Sequence, residues 1–338
     1  MTNKRILYIG NKLSKHGATT TVMETLGSLL ASEGFTITYA SSQKNIILRF
    51  LDMIFTVIYH YRSVDYVLID TYSTLNFWYA FFVSQTCRLF KLKYVPILHG
   101  GNLPNRIKTN PKCSGLIFNY AYRIVAPSGY LFNAFNVKYS KGLVSIPNTI
   151  EIDKYTFFAK KLNTPRLLWV RSFSPIYNPK MAIQVLAEVQ KEFPNASLTM
   201  VGPDINNYRN ECELFAKELD VKVIFTGILS KADWITLSKN HNVFINTSNF
   251  DNMPVSVIEA MALGLPIIST NVGGVPFLIK DKEDGLLVNE KDYLAMSLAT
   301  KELFLNQDFT DFLVVNARKK AQLFDWQIVK FNWLDVLM

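Results

Sequence analysis

Short runs of β-branched and aromatic residues alternate with helix-forming stretches along the whole chain, and this alternation limits its folds more than any other feature. In the first half "RILYIG", "FTITYAS", "DYVLID" and "KYVPILH" read as strands. Between them lie "TTTVMETLGSLLASEG", a helix that Gly34 is placed to end, and an apolar stretch at residues 46–61. The second half continues with "RLLWV", "SLTMVG", "VKVIFTG", "NVFINT" and "LPIIST". Strands that alternate with helices predict an α/β fold, with doubly wound parallel sheets covered by helices on both faces.

A length of 338 residues suits two such domains, each able to bury a core without staples. The segment "IPNTIEIDKYTFFAKKLNTPR" breaks the alternation with prolines, asparagines and clustered charge. The predicted division is therefore residues 1–150, a linker at 151–165, and residues 166–324, followed by an amphipathic helix at 325–338. Ligands are expected in the cleft between two facing domains of this kind.

Cys87, Cys113 and Cys212 are odd in number and widely spaced, the pattern of reduced thiols in a cytosolic protein. The apolar run at residues 6–9 is shorter than a secretory core, and "LNFWYAFFV" is shorter than a membrane span. These readings predict a soluble, cytoplasmic protein. Charge is uneven: residues 1–150 hold 16 Lys/Arg against 5 Asp/Glu, and residues 151–338 hold 20 against 22. The basic half either faces something anionic or simply carries a solubilising surface. Nucleic acid is not expected, because no recognised binding motif accompanies the charge.

Several chemistries lack their motifs. The sequence contains no Gly-x-Gly, no GxxxxGK[ST], no GxSxG and no HExxH, and its four histidines have no ligand spacing. It also has no Asp-x-Asp pair to hold a divalent ion on a nucleoside diphosphate, so no metal is expected and side chains and helix ends would neutralise the phosphates.

One segment carries positive chemistry, "NVFINTSNFDNMPVSVIEAMALGLPIISTNVGG" at residues 242–274. It reads as a βαβ unit with Pro254 as the first helical residue and Gly264 ending the helix. The helix would open at the carboxyl end of the sheet, where free N–H groups of Asn252, Met253 and Val255 suit an anion. Ser256 and Glu259 either form a narrow solvent stripe or aim Glu259 at the hydroxyls of a ribose. Asp251 either caps the helix or holds sugar hydroxyls.

The stretch "DNMPVSVIEAMALGLPIISTNVGGVPFLI" resembles the signature of retaining glycosyltransferase family 4, of GT-B fold. In that family two acidic residues separated by seven flank the proline and the "EAMA" helix, and a Gly-Gly loop follows. Here Asp251 stands where the family usually has glutamate, and Glu259 is the second acid. The resemblance implies two Rossmann-like domains, a sugar nucleotide as donor, a glycan or lipid-linked acceptor, and transfer with retention and without a metal. It also implies that the last helix crosses back to the first domain. "RLLWVRSFSPIYNPKMAIQVL" is similar to the segment whose arginine and lysine grip the diphosphate, which points to Arg171 and Lys180, although the loop between them is enlarged and Lys180 also reads as a surface lysine. Gly202, Pro203, Gly227 and Ile228 would offer backbone near the base. Gly17 aligns with the glycine loop that approaches the donor, with Ala18 at the usual second glycine. His99, followed by Gly100 and Gly101, matches the histidine beside the reacting sugar; the alternative is a structural hydrogen bond.

The basic first half would then bind the acceptor or an anionic membrane face, with surface polysaccharide synthesis as the setting and association with the inner face of the cell membrane as the place. The apolar residues of "NIILRFLDMIFTVIYHYR" are expected mostly in the core, with some at that surface. A sugar-nucleotide epimerase of the same fold and a non-catalytic sugar-nucleotide or anionic-lipid binding protein are the alternatives.

Overall fold

The computed structural model describes residues 4–12, 21–158 and 161–338. They form two compact units, Met1–Thr149 with Val329–Met338, and Ile150–Ile328. In the first unit the strands are β1 (Arg5–Ile9), β2 (Thr36–Ala40), β3 (Tyr66–Thr71), β4 (Lys93–Leu98), β5 (Ile124–Ala126) and β6 (Leu143–Ser145). They pair in parallel in the order β2-β1-β3-β4-β5-β6. Every residue of β3 is buried, as expected for a central parallel strand with helices on both faces. The chain runs from β1 outward to β2 and then returns past β1 to β3. The sheet therefore reverses its direction of growth between β1 and β3, where an open α/β sheet leaves room for ligands beyond the carboxyl ends.

The second unit repeats the plan with β7 (Arg166–Val170), β8 (Ser197–Val201), β9 (Val223–Gly227), β10 (Val243–Asn246), β11 (Ile267–Thr270) and β12 (Leu286–Val288). Their order is β12-β11-β10-β7-β8-β9, again all parallel, so this sheet reverses between β7 and β10. Strands β5, β6 and β12 were not anticipated. Each is three residues long, too short for a periodic pattern to register.

Local chemistry sets the helix ends. The helix Val22–Ser32 opens with a capping box in which the Thr21 N–H donates to Glu24 Oε2 at 3.1 Å and the Glu24 N–H to Thr21 Oγ1 at 3.4 Å. The last helix, Trp326–Leu337, is held to the first unit from Val329 onward. Lys4 Nζ donates to the carbonyls of Leu337 at 2.9 Å and Met338 at 2.8 Å.

The helix Ile46–His60 departs from the expected core role. Only Arg49, Met53 and Val57 are buried in it, whereas Ile47 is 69 %, Phe55 63 % and Tyr59 83 % exposed. Arg49 can turn inward because its guanidinium is satisfied: Nε donates to the Gln43 carbonyl at 2.7 Å, Nη2 to that of Lys44 at 2.9 Å, and Nη1 to Asn11 Oδ1 at 3.2 Å. The helix thus buries its charge and exposes much of its apolar surface. None of the described helices is long and apolar enough to cross a membrane.

Candidate functional site

In the second unit the residues after β7 and β10 meet at the point where the sheet reverses. Arg171 follows β7 directly, and its N–H donates to the Val201 carbonyl at 3.0 Å. Gly202, at φ +151°, packs against that turn so closely that a Cβ would lie 1.8 Å from the Arg171 carbonyl oxygen. Only glycine permits this close approach of the two backbones. The loop after β10 is fixed by Thr247, whose hydroxyl accepts from Trp169 Nε1 at 3.0 Å and lies 2.9 Å from the carbonyls of Tyr177 and Asn178. The Asn249 N–H donates to the Ile176 carbonyl at 2.8 Å. The enlarged loop after Arg171 is therefore ordered as a wall against the β10 loop. It places the Tyr177 ring 4.7 Å from the Arg171 guanidinium carbon, a cation–π contact.

Arg171 Nη2 donates to Asp251 Oδ2, forming an ion pair. Asp251 also receives the Asn252 N–H at 2.9 Å and the Ser248 hydroxyl at 3.3 Å. Burial is the largest single influence and works against the Arg171 charge, but Asp251, Tyr177 and Glu259 together outweigh it and the guanidinium pKa is raised. The Arg171 Nε–H is buried and makes no hydrogen bond among the described residues. A buried charged donor left without an acceptor is rare in a native structure.

The helix Val255–Leu263 begins one residue later than expected. Pro254 is its N-cap, with φ −68° and ψ 112°, and its carbonyl accepts from Val257 at 3.1 Å and Ile258 at 3.4 Å. The extended ψ turns that carbonyl into the helix, so Pro254 caps rather than opens it. The expectation of a free N–H at Asn252 is likewise corrected, because Asp251 takes it. Met253 packs into the apolar core of this unit. The Gly-Gly loop braces the turn from behind: the Gly274 N–H donates to the Asp251 carbonyl at 3.0 Å, and a Cβ on Gly274 would come within 1.8 Å of the Asn252 carbonyl oxygen.

Glu259 is 4 % exposed, which excludes the solvent-stripe reading. Its Oε1 accepts the Tyr155 hydroxyl at 2.7 Å and also the Lys231 ammonium. Burial first, and then Glu259, raises the Tyr155 pKa, so that phenol remains a donor. Tyr155 lies in the segment read as a linker and Lys231 opens the helix Lys231–Ser238 that follows β9; the sequence reading named neither. Only contact with Glu259, 104 residues from Tyr155 and 28 from Lys231, distinguishes them. Lys180 is elsewhere, with Nζ 2.9 Å from Glu211 Oε2 at the surface. The Gly227 carbonyl receives the Gly202 N–H at 2.9 Å, and that of Pro203 the Phe173 N–H at 2.8 Å. Ile228 is 46 % exposed.

In the first unit His99 follows β4, and its Nε2 lies 2.9 Å from Asp70 Oδ1, a residue of β3 that the sequence reading did not single out. The Tyr72 ring stacks on the imidazole with centroids 5.4 Å apart. Gly100 allows the two strand ends to close, since a Cβ there would lie 2.4 Å from the Ser73 nitrogen. Gly17 lies outside the described residues. Among the described residues no group of three or more His, Cys, Asp or Glu side chains is placed to hold a metal ion.

These residues gather at the carboxyl end of a parallel sheet, and comparison with known proteins identifies the scaffold as GT-B. Residues 153–320 match the model of the family "Glycosyl transferases group 1". An α-1,4-N-acetyl-D-galactosaminyltransferase of Campylobacter jejuni acting on an undecaprenol-linked saccharide is 27% identical over 161 residues, 47% of this chain and 44% of that protein. The chain spans about half or less of the length of the curated relatives it matches first. Sucrose-phosphate synthase of Thermosynechococcus elongatus superposes with a TM-score of 0.84 over 98% of both chains at 17% identity. Anabaena HepE, solved in complex with UDP and glucose, gives 0.79 over 99% of both at 18% identity. At such identities the solved structures establish the fold, two Rossmann-like parallel sheets of GT-B type.

Proposed function

We propose that this protein is a glycosyltransferase that moves a sugar from a nucleoside diphosphate sugar to a glycan or lipid-linked acceptor, with retention of configuration and without a metal. The observation that carries the reading is Arg171 at the reversal of the second sheet, its buried Nε–H without a hydrogen-bond partner among the described residues. A diphosphate oxygen is the acceptor that such a donor suits. The first turn of the helix Val255–Leu263 opens beside Asp251 and adds N–H dipoles of the same sign.

Negative charge builds on the departing diphosphate as the glycosidic bond breaks. Arg171 and the helix end would meet it with dipoles already oriented, and one such donor is worth about 100- to 1000-fold in rate. Asp251 holds Arg171 in place and retains carboxylate capacity for a sugar hydroxyl. Glu259, buried and twice hydrogen-bonded, would accept the ribose hydroxyls. Asp251 in place of the usual glutamate shortens this arm, and its ion pair with Arg171 makes a short arm useful.

A thermal-shift screen of nucleoside diphosphates and their sugar conjugates, with and without EDTA, tests this. One diphosphate should raise Tm regardless of chelator, and its sugar conjugate should be consumed only when an acceptor glycan is present. Release of free sugar or of an epimer without acceptor would favour a hydrolase or epimerase. Binding without turnover would favour a non-catalytic binding protein.

The exposed apolar residues of the helix Ile46–His60 favour peripheral attachment to an anionic lipid surface. The basic balance of residues 1–150 supports it, since each well-placed cation adds about 1 kcal/mol at such a surface. A lipid-linked acceptor would be met there. Failure to sediment with phosphatidylserine vesicles at physiological salt would remove this part.

A further inference from the structure

We propose that Asp70 is a positioning residue for His99: it orients the imidazole, keeps the ring proton on Nε2, and leaves Nδ1 as a hydrogen-bond acceptor for substrate. The effect on turnover rests on the transferase reading above; the effect on the ring does not.

The geometry begins with the strand order. β3 and β4 are neighbours, and the register pairs Asp70 with Ile97 and Thr71 with Leu98. The His99 N–H extends the ladder to the Thr71 carbonyl at 2.9 Å, which brings the imidazole back over the end of β3. Its Nε2 meets Asp70 Oδ1 at 2.9 Å, with side-chain exposures of 7 % and 2 %. Because a carboxylate only accepts, the ring nitrogen facing it must carry the proton. In neutral imidazole the other nitrogen is then the acceptor.

Three further features fit positioning better than casual packing. First, Asp70 has no Lys or Arg within ion-pair distance among the described residues, so the imidazole is the group beside it that can carry positive charge. A buried carboxylate without a strong cation is expensive, and an apolar residue would serve a purely structural role better. Second, Gly10, at the end of β1, leaves room for the other carboxylate oxygen: a Cβ there would sit 2.6 Å from Asp70 Oδ2. Third, the Tyr8 hydroxyl is fully buried near Asp70, and its pKa is raised well above normal by burial and then by the Asp70 charge. Tyr8 thus stays neutral and does not add a second anion. Asp70 and Gly10 stand at the reversal between β1 and β3, where an open sheet receives ligands, with His99 one strand further on.

The test is long-range proton–nitrogen correlation NMR on full-length protein labelled with 15N-histidine, at a pH about two units above the ordinary imidazole value. His99→Gln assigns the resonance. Wild-type His99 should show Nε2 protonated and Nδ1 bare. Asp70→Asn, whose amide can face the ring with either oxygen or nitrogen, should mix or invert that pattern. Its kcat should fall about 10- to 100-fold while donor KM stays within about twofold, as for misorientation of a group acting after binding. Gly10→Ala, which displaces the carboxylate without removing it, should relax the tautomer in the same direction. It also serves if Asp70→Asn does not fold. A proton on Nδ1 in the wild type, or an unchanged tautomer in both variants, overturns the proposal. So does a changed tautomer with unchanged kcat. If the wild type transfers no sugar from any donor, the transferase reading fails, and the tautomer alone then decides whether Asp70 positions the ring.

Discussion

Arg171 and Asp251 form an ion pair although 80 residues separate them, because β7 and β10 are neighbours where the second sheet reverses its order. The pair is largely withdrawn from water, with side-chain exposures of 20 % and 9 %. Removing one partner of such a pair strands the other charge and costs on the order of 3 kcal/mol. Asp251→Ala should lower stability by about that amount in urea titrations, and Asp251→Asn by less, since the amide oxygen still accepts. Equal stability of both variants and wild type would mean that the pair is open in solution.

Calorimetry on the diphosphate found by the screen separates the two candidate cations. Arg171→Ala should weaken binding about 10- to 100-fold, because a charged hydrogen bond to phosphate is lost. Lys180→Ala should stay within about twofold, because its ammonium is held by Glu211 at the surface. Equal losses would return Lys180 to the diphosphate.

Glu259 makes a sharper prediction through the ribose. Glu259→Gln should weaken a nucleoside diphosphate about tenfold or more. The same substitution should leave a 2′,3′-dideoxy analogue nearly unaffected, because the hydroxyls that Glu259 would accept are missing. If both ligands weaken alike, Glu259 acts on the fold through Tyr155 and Lys231 and not on the ligand.

Glycine positions allow a contrast within one protein. Gly274→Ala would bring a Cβ within 1.8 Å of the Asn252 carbonyl, forcing the Asp251 turn to move. It should abolish ligand-induced stabilisation and reduce stability by several kcal/mol. Gly34→Ala, at φ +95° with nothing near its Cβ, should cost only about 1 kcal/mol of backbone strain and leave binding intact.

The thiols predict an alkaline limit. Burial pushes both Cys87 and Cys212 up to about 12, the latter held back in part by Lys180. The folded state keeps protons that the unfolded state loses above its ordinary value of about 8.5, so stability is unaffected below that pH and falls between about 8.5 and 12. Replacing both by alanine should flatten that part of a Tm-against-pH curve. In native protein a thiol reagent should reach half-buried Cys113 first. Labelling of Cys87 at the same rate would show that its surroundings open readily.

Much of the site could be read locally. The helix end at Gly264 is marked by its glycine, and Asp251 and Glu259 flank the proline and the helix of one βαβ unit, whereas Arg171 and His99, each just after a strand, were reached through the family resemblance. The cap at Pro254 was misplaced by one residue because a proline's position does not reveal its ψ. The short strands β5, β6 and β12 gave too few residues for any period. The helix Ile46–His60 was expected in the core on composition, but composition cannot say that Arg49 would find three oxygen acceptors and turn inward.

By itself, then, the sequence determined the longer strands, several helix ends and the α/β class, because these follow from interactions within about a dozen residues. The tertiary structure decided the strand order, and with it every pairing across the sites: Asp251 with Arg171, Glu259 with Tyr155 and Lys231, Asp70 with His99, and Lys180 with Glu211. Those partners lie 28 to 104 residues apart. Which of many charged side chains meets which depends on the sheet register that packing selects, and no local pattern encodes that choice.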